Sequence, residues 1–183
     1  MTILCTDFKM LAADTLTSAG HIKVYNRSKI RIIKGHAIAT CGDEEAGFQF
    51  EKWFFNQQGE TFIGDDTFGV IIANKHTIQL GEVKEDSTEL TKLWEPRHKS
   101  AMGAPAATAV AEILMKVSKL NAHKAAEHAA NYDAYCGPPV YSITKKQIAE
   151  IHQDFDGYWI GTYEVPINKV DNYLITQKQW LNT

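Results

Sequence analysis

MTILCTDFKMLAAD, residues 1–14, is the stretch that decides the fold, because two short apolar runs in it flank one polar pair. Residues 2–6 and 9–14 are short, apolar and bounded by polar residues, which is the pattern of two strands joined by a tight turn. The turn falls at Asp7-Phe8, so we predict a β-hairpin at the start of the chain.

Thr2 is the residue of chemical interest in this hairpin. Removal of Met1 would leave Thr2 with a hydroxyl nucleophile and a free α-amine, and an adjacent base is one way in which proteins activate a weak nucleophile. The plain alternative is that Thr2 only begins an edge strand. The rest of the chain must decide between these two interpretations.

The length and charge of the chain indicate a globular domain. A chain of 183 residues with 44% hydrophobic and 22% charged residues is large enough to bury a full core. We expect a single domain over residues 1–183, with its core in residues 2–153 and a tail at 154–183 whose pattern predicts no element. The net charge of -3 lacks the basic excess that phosphate neutralisation requires, so nucleic acid is not expected as a partner.

Membrane segments, secretion signals and metal motifs are not indicated. No apolar stretch approaches membrane-spanning length, and the first residues lack the basic-then-apolar layout of a signal peptide. We therefore expect a soluble, cytoplasmic protein with no membrane partner. Cys5, Cys41 and Cys136 are an odd number of cysteines without a CxxC pair, so neither a disulfide framework nor a zinc site is predicted, and no cofactor is expected.

The rest of the chain alternates between strand and helix patterns. Short runs rich in apolar and β-branched residues predict strands at 21–25, 30–33, 37–41, 68–73, 77–80, 140–143 and 147–151. Acids that favour a helix start, followed by apolar residues with helical spacing, predict a helix over 43–55. Two more helices are predicted, one with Pro105 as its first residue and one capped by Asn121. Residues 82–98 and 100–104 are predicted to be a loop and a small-residue link.

This order of elements predicts the α+β class. Strands, one helix, more strands, two helices and closing strands fit a four-layer αββα sandwich. In such a sandwich, helices cover both outer faces of two packed antiparallel sheets.

Several separate stretches match one protein family at the points where that family carries its function. They are Thr2, Ala12-Ala13-Asp14, Lys29-Ile30-Arg31-Ile32, Cys41-Gly42, Gly103-Ala104-Pro105 and Tyr132-Asp133-Ala134-Tyr135-Cys136-Gly137. With these motifs in this order, the chain resembles the proteasome β-type subunits and the bacterial two-tier ATP-dependent threonine protease. Both are N-terminal nucleophile hydrolases, so the resemblance implies that fold from Thr2 to residue 151.

The resemblance implies a role for individual residues. Thr2 is similar to the family nucleophile, and its own amine, with a reference pKa near ~8, would accept the hydroxyl proton. Lys29 matches the lysine whose charge favours the alkoxide, and Asp14 matches the acid that holds this lysine. Gly42 matches the glycine whose N–H faces the oxyanion at a helix N-terminus. Asp133 matches the carboxylate that supports the threonine amine.

Two positions near the nucleophile depart from the family pattern. Met102 stands where the family usually has a serine, and Cys136 replaces the serine that follows the supporting aspartate. Both changes alter the hydrogen bonding around the threonine amine, and Cys136 stays a candidate site residue.

Two functional hypotheses follow from the resemblance. The first is a threonine-type hydrolase that cleaves peptide or amide bonds in a peptide or protein substrate. The resemblance implies that such a hydrolase forms a homo-oligomeric ring, and an ATPase unfoldase is a candidate partner. The second is a catalytically silent member of the fold that serves as a structural or assembly subunit. While Met1 is present, the nitrogen of Thr2 lies in a peptide bond and is not a base, so the removal of Met1 separates the two hypotheses.

Overall fold

The computed structural model describes residues 2–19, 22–24, 28–56, 68–83, 93–151 and 158–159. The strands, in chain order, are β1 (Ile3–Thr6), β2 (Met10–Asp14), β3 (Thr17–Ala19), β4 (Ile22–Val24), β5 (Ile30–Ile33), β6 (His36–Gly42), β7 (Phe68–Ala73), β8 (Ile78–Val83), β9 (Ser100–Gly103), β10 (Val140–Thr144) and β11 (Tyr158–Trp159). The helices are α1 (Glu44–Asn56), α2 (Pro105–Lys116), α3 (Ala122–Ala129) and α4 (Lys145–Glu150).

Two antiparallel sheets form the middle of the structure. The first sheet has the order β10-β2-β1-β9, the second has the order β11-β5-β6-β7-β8, and β3 pairs with β4 in a separate hairpin. The hairpin predicted from residues 1–14 forms the centre of the first sheet, with Leu4 opposite Ala13. It therefore brings Thr2, just before β1, to the same end of the sheet as Asp14, the last residue of β2.

The two sheets pack face to face, and helices cover their outer faces. Because side chains alternate along a strand, Leu4 of β1 packs between the sheets whereas Ile3 and Cys5 pack against α2 and α3. The residues of α2 and α3 that face the sheet are mostly alanines, so the helices lie close to it. On the opposite side, Phe50 of α1 packs on the outer face of the second sheet. The predicted four-layer α+β sandwich is confirmed.

The local signals for hairpins and helix starts are confirmed as well. Lys34 and Gly35 have φ values of 45° and 73°, which suits the two-residue turn between β5 and β6. Pro105 is the first residue of α2, and Asn121 caps α3 by accepting a hydrogen bond from a backbone N–H. Asp43 caps α1 in the same way, at 2.8 Å from the N–H of Ala46.

The prediction of a simple link at residues 100–104 is wrong. Ser100–Gly103 is the strand β9, which pairs along the whole of β1, with Leu4 opposite Met102. Small residues have weak strand propensity, but the free edge of β1 offers backbone hydrogen bonds that override this preference.

The predicted strand at 147–151 is also wrong, because residues 145–150 form the short helix α4. Thr144 and Gln147 form a capping box, in which each side chain bonds the backbone N–H of the other residue. This spacing of threonine and glutamine was a helix signal in the sequence, and it predicts the observed element better than the apolar alternation does.

Two of the predicted segments lie only partly within the residues that the structure describes. Of the tail at 154–183, only β11 lies inside the described residues, and of the loop predicted at 82–98, residues 84–92 lie outside them. Within the described ranges, no helix is long and apolar enough to cross a membrane. Nor do three or more His, Cys, Asp or Glu side chains in those ranges group as ligands for a metal ion.

Candidate active site

Asp14 is the centre of the candidate site. Its side chain is fully buried, and one carboxylate oxygen accepts hydrogen bonds from the N–H of Ile3 at 3.0 Å and from Nζ of Lys29 at 2.8 Å. The other oxygen accepts from the N–H of Leu16 at 3.2 Å and from the N–H of Gly137 at 3.0 Å. A buried carboxylate needs such partners, so Asp14 joins the start of the chain to two other segments.

Lys29 reaches Asp14 from the residue before β5. Its Nζ also donates to the carbonyl oxygen of Leu16 at 2.6 Å, and its side chain is 11% exposed. Burial lowers the pKa of Lys29, while the negative charge of Asp14 acts in the opposite direction. An ammonium group has three donors, so these two bonds leave a third N–H for another acceptor.

The peptide unit between Thr2 and Ile3 is held on both sides. Its N–H donates to Asp14, and its carbonyl oxygen accepts from the N–H of Ala104 at 2.8 Å. Gly103 permits this approach, because its φ is 114° and a Cβ there would lie 1.8 Å from the carbonyl oxygen of Thr2. The backbone of Thr2 therefore has a fixed position beside the buried ion pair.

The residues that follow Asp14 pack against the turn that carries Gly137. The N–H of Thr15 donates to the carbonyl oxygen of Gly137 at 3.3 Å, and Oγ1 of Thr15 donates to the carbonyl oxygen of Pro139 at 2.9 Å. A Cβ at Gly137 would lie 3.2 Å from the side chain of Leu16. These contacts attach the 133–139 turn to the site without any side chain of that turn.

Gly42 ends β6 and stands just before α1. Its φ is 100°, and its backbone is exposed. The charge of Lys29 acts on the thiol of Cys41, the neighbour of Gly42 in the chain. Among the residues that the structure describes, no hydrogen bond joins Gly42 to Thr2. The helix start places the positive end of the α1 dipole beside Gly42.

Asp133 and Cys136 lie beside the site with different surroundings. The Asp133 carboxylate accepts from the N–H of Tyr135 at 2.9 Å, and in the described part of the chain no hydrogen bond links it to Thr2. Burial, with the charges of Asp14 and Asp133, raises the pKa of the Cys136 thiol to about 12. Cys136 is therefore a neutral thiol at ordinary pH.

Met102 lies between the sheets, where it meets Cys41. A Cβ at Gly69 of β7 would lie 3.0 Å from Sδ of Met102 and 3.1 Å from Sγ of Cys41, so both sulfur atoms pack over this glycine. Burial raises the pKa of the Cys41 thiol to about 12. Met102 thus joins the core between the sheets, and it offers no hydroxyl to the nucleophile.

The structure brings together only part of the predicted set by direct contact. Asp14 and Lys29 bond each other, and Thr2 is tied to Asp14 through the next peptide N–H. Sequence reasoning missed the backbone groups of Leu16, Ala104 and Gly137, because any residue type supplies an N–H or a carbonyl oxygen. It identified Gly103-Ala104-Pro105 as a family motif at a helix start, and it did not use the glycine as a signal of close backbone approach.

Comparison with known proteins shows which solved structures have a similar fold. No protein-family model matches the chain, and no curated protein matches it. The chain is similar to the structure of a BPH, a bacterial proteasome homologue, from Thiobacillus denitrificans in complex with epoxomicin. The identity is 18%, the match covers 79% of this chain and 97% of that chain, and the TM-score is 0.54.

A second structure of the Thiobacillus denitrificans BPH gives the same result, with 20% identity, the same two coverages and a TM-score of 0.54. The chain has a proteasome-like fold. This fold agrees with the N-terminal nucleophile hydrolase sandwich that the sequence predicts. At this identity the likeness concerns the fold.

Proposed function

We propose that this chain is a threonine-type hydrolase that cleaves peptide or amide bonds with Thr2 as its N-terminal nucleophile after removal of Met1. The observation that carries the proposal is the double role of the buried Asp14 carboxylate. The same oxygen holds the Lys29 ammonium and the first peptide N–H after Thr2. A positive charge is thereby fixed beside a residue whose backbone is held in place, which is what an N-terminal nucleophile requires.

The reaction would begin with the free amine of Thr2. This amine accepts the hydroxyl proton, and Oγ1 attacks the substrate carbonyl carbon while the Lys29 ammonium stabilises the developing negative charge. The N–H of Gly42, at the start of α1, donates to the oxyanion. The amine then gives its proton to the leaving nitrogen, the C–N bond breaks, and an ester between Thr2 and the acyl group remains.

Water completes the cycle by the same route. The Thr2 amine takes a proton from a water molecule, whose oxygen attacks the ester carbon. Collapse of the second tetrahedral intermediate breaks the bond to Oγ1, releases the acid and returns the proton to the hydroxyl. No cofactor takes part in this proposal, and Asp133 supports the amine from the far side.

The proposal includes the surroundings that the resemblance implies. The substrate would be a peptide or protein, and the chain would assemble into a homo-oligomeric ring that encloses the nucleophile. A cytoplasmic location and an ATPase unfoldase as a partner belong to the same proposal.

The proposal is tested by covalent labelling with epoxomicin, an epoxyketone, on protein whose N-terminus is first determined by intact mass. Protein that begins at Thr2 should gain the mass of one inhibitor, and Thr2→Ala should gain none. Lys29→Ala should also lose labelling and peptide hydrolysis, whereas Lys52→Ala, on the exposed side of α1, should keep both. Equal labelling of wild type and Thr2→Ala, or none of a wild type that begins at Thr2, would remove the catalytic claim.

A catalytically silent structural subunit is the second candidate. It is favoured by the surroundings of Asp133, whose carboxylate bonds the N–H of Tyr135, and by Met102 and Cys136 at the two positions where a hydroxyl is usual. Full retention of Met1 in protein from the native source would select this candidate. Complete removal of Met1, together with labelling at Thr2, would exclude it.

A further inference from the structure

A basic surface lies at the end of the molecule opposite Thr2. β1 and β2 lead from Thr2 to their hairpin tip and back to Asp14, so the tip lies at the far end of the first sheet. We call this the basic end, and define it by the loops 7–9, 74–76, 97–99 and 118–121 together with residues 144–146, where β10 ends and α4 begins. These loops come from distant parts of the chain, and their common position is a result of the fold.

Hydrogen bonds hold one side of the basic end together. The N–H of Lys145 donates to the carbonyl oxygen of Lys9 at 2.9 Å, which joins the start of α4 to the hairpin tip. Nζ of Lys145 donates to the carbonyl oxygen of His76 at 3.1 Å, which adds the turn between β7 and β8.

The α2–α3 loop and the approach to β9 join the basic end from the other side. The N–H of Ala122 donates to the Asp7 carboxylate at 3.0 Å, and Nζ of Lys99 donates to the carbonyl oxygen of Leu120 at 3.1 Å. Thr6, at the end of β1, pairs with Ser100, at the start of β9. The loops therefore form one continuous surface.

The charged side chains within these loops are mostly basic. Its lysines and arginine are Lys9, Lys75, Arg97, Lys99, Lys119, Lys145 and Lys146. Asp7 is the acid within these loops, but it is buried and accepts three backbone N–H groups, so it does not offset the exposed charges. The whole chain has a net charge of -3, so this concentration of positive charge is local.

Apolar side chains stand among the cations. Phe8, at the hairpin tip, is 40% exposed and has a φ of 71°, a conformation that is strained for a phenylalanine. Ile113 and Val117, at the end of α2 next to the 118–121 loop, are 59% and 74% exposed, and Lys116 beside them pairs with Glu112 at 2.8 Å. An exposed aromatic side chain on a fixed tip and exposed aliphatic side chains next to lysines are the composition of a binding surface.

We propose that the basic end binds an acidic, amphipathic segment of a partner protein. Acidic side chains of that segment pair with Lys9, Lys119 and Lys146, and its apolar side chains cover Phe8 and Val117. A protein segment fits better than a nucleic acid for two reasons. Aliphatic side chains such as Val117 have no counterpart in a phosphate backbone, and a long polyanion that extends beyond the basic end meets a chain of net negative charge.

Fluorescence anisotropy with a labelled helical peptide tests the proposal, with leucines along one face of the peptide and glutamates along the other. Lys9→Glu, Lys119→Glu and Lys146→Glu should each weaken its binding by roughly threefold to tenfold, and the triple variant should abolish it. Lys52→Glu, which makes the same charge change on α1, should bind like wild type. Circular dichroism should give the same spectrum for all variants.

Four results of the binding assay would overturn the proposal. They are an absence of binding by wild type, an equal loss in Lys52→Glu, stronger binding of a DNA duplex than of the peptide, and stronger binding of a matched peptide with lysines in place of glutamates. Self-association is measured by sedimentation. If wild type forms dimers that the triple variant lacks, the occupant is a second copy of the chain and not an acidic partner.

Discussion

Asp14 is the residue on which the candidate site depends most. It carries a negative charge in a fully buried position, and its stability there comes from the Lys29 ammonium and from three backbone N–H groups. Losing one partner of a buried ion pair leaves the other charge desolvated and unpaired, which costs more than the pair contributes. The pair is therefore sensitive to single substitutions.

Asp14→Asn should lower the free energy of unfolding by about 3 kcal/mol, because the buried Lys29 ammonium loses its counter-charge. Lys29→Met should also destabilise the protein, and the double variant should be less destabilised than the sum of the two. Urea unfolding followed by circular dichroism measures all three. Strictly additive losses would mean that the two side chains are not coupled.

Gly103→Ala should destabilise the protein by roughly 2 kcal/mol or more, because the new Cβ meets the carbonyl oxygen of Thr2 and the backbone has a positive φ. Gly137→Ala is the matched control, since its Cβ would lie 3.2 Å from the Leu16 side chain and not against a backbone oxygen, and Gly137 does not have a positive φ. Thermal unfolding compares the two, and epoxomicin labelling reports whether Thr2 has shifted. A loss of stability in Gly137→Ala as large as that in Gly103→Ala would contradict this explanation.

The three cysteines should react slowly in the native protein from roughly pH 7 to pH 9, because only the thiolate reacts. Burial raises the pKa of Cys5, Cys41 and Cys136, so each stays a neutral thiol over this range. In urea, labelling by Ellman's reagent should become fast and should rise with pH around the usual pKa of ~8.5. Rapid native labelling near neutral pH would show that a thiol is exposed or activated.

At the scale of single elements, α1 connects helix capping to the proposed chemistry. Asp43 caps the helix directly after Gly42, so the cap fixes the backbone that would donate to the oxyanion. The helix begins here because an aspartate accepts an otherwise unpaired N–H and because acids favour the positive end of the dipole.

Asp43→Ala should lower the free energy of unfolding by about 1 kcal/mol, and it should lower kcat more than it changes KM. Asp43→Asn should keep most of the stability and most of kcat, because asparagine also caps helices. Glu45→Ala is a control in the same turn that leaves the cap intact. Thermal unfolding and hydrolysis of a fluorogenic peptide measure the two effects. Equal losses in the alanine and asparagine variants would show that the carboxylate has a role other than capping.

At the scale of the whole molecule, the sandwich places the proposed nucleophile and the basic end at opposite ends of the first sheet. Antiparallel pairing brings Thr2, Asp14 and Gly103 to one end, because β1, β2 and β9 all begin or finish there. The opposite end collects the loops that carry exposed lysines.

A fusion that leaves residues in front of Thr2 should fold but should not hydrolyse peptides, because the nitrogen of Thr2 then lies in a peptide bond. Cleavage by a protease that leaves Thr2 as the first residue should restore activity, while Thr2→Ala treated in the same way should stay inactive. Circular dichroism and peptide hydrolysis are compared before and after cleavage. Full activity of the uncleaved fusion would exclude the α-amine as the base.

Local signals predicted most of the elements, and the errors at β9 and α4 have different causes. β9 consists of small residues with weak strand propensity and depends on pairing with β1, whereas α4 follows from a local capping box at Thr144 that the apolar alternation obscured. The site was predicted where side-chain type carries the chemistry, as for Asp14 and Lys29. The part of the site that consists of backbone N–H and carbonyl groups was not predicted, because every residue type carries these groups.

By itself, the sequence determined the layer architecture, the starts of α1, α2 and α3, and the acid and lysine of the site. These depend on hydrophobic period and residue type, which are local properties. Only the tertiary structure decided that one oxygen of Asp14 serves both Lys29 and the peptide after Thr2, that Gly103 admits the Thr2 carbonyl oxygen, and that distant lysines share one end. Such relations join residues far apart in the chain, so they depend on strand pairing and packing.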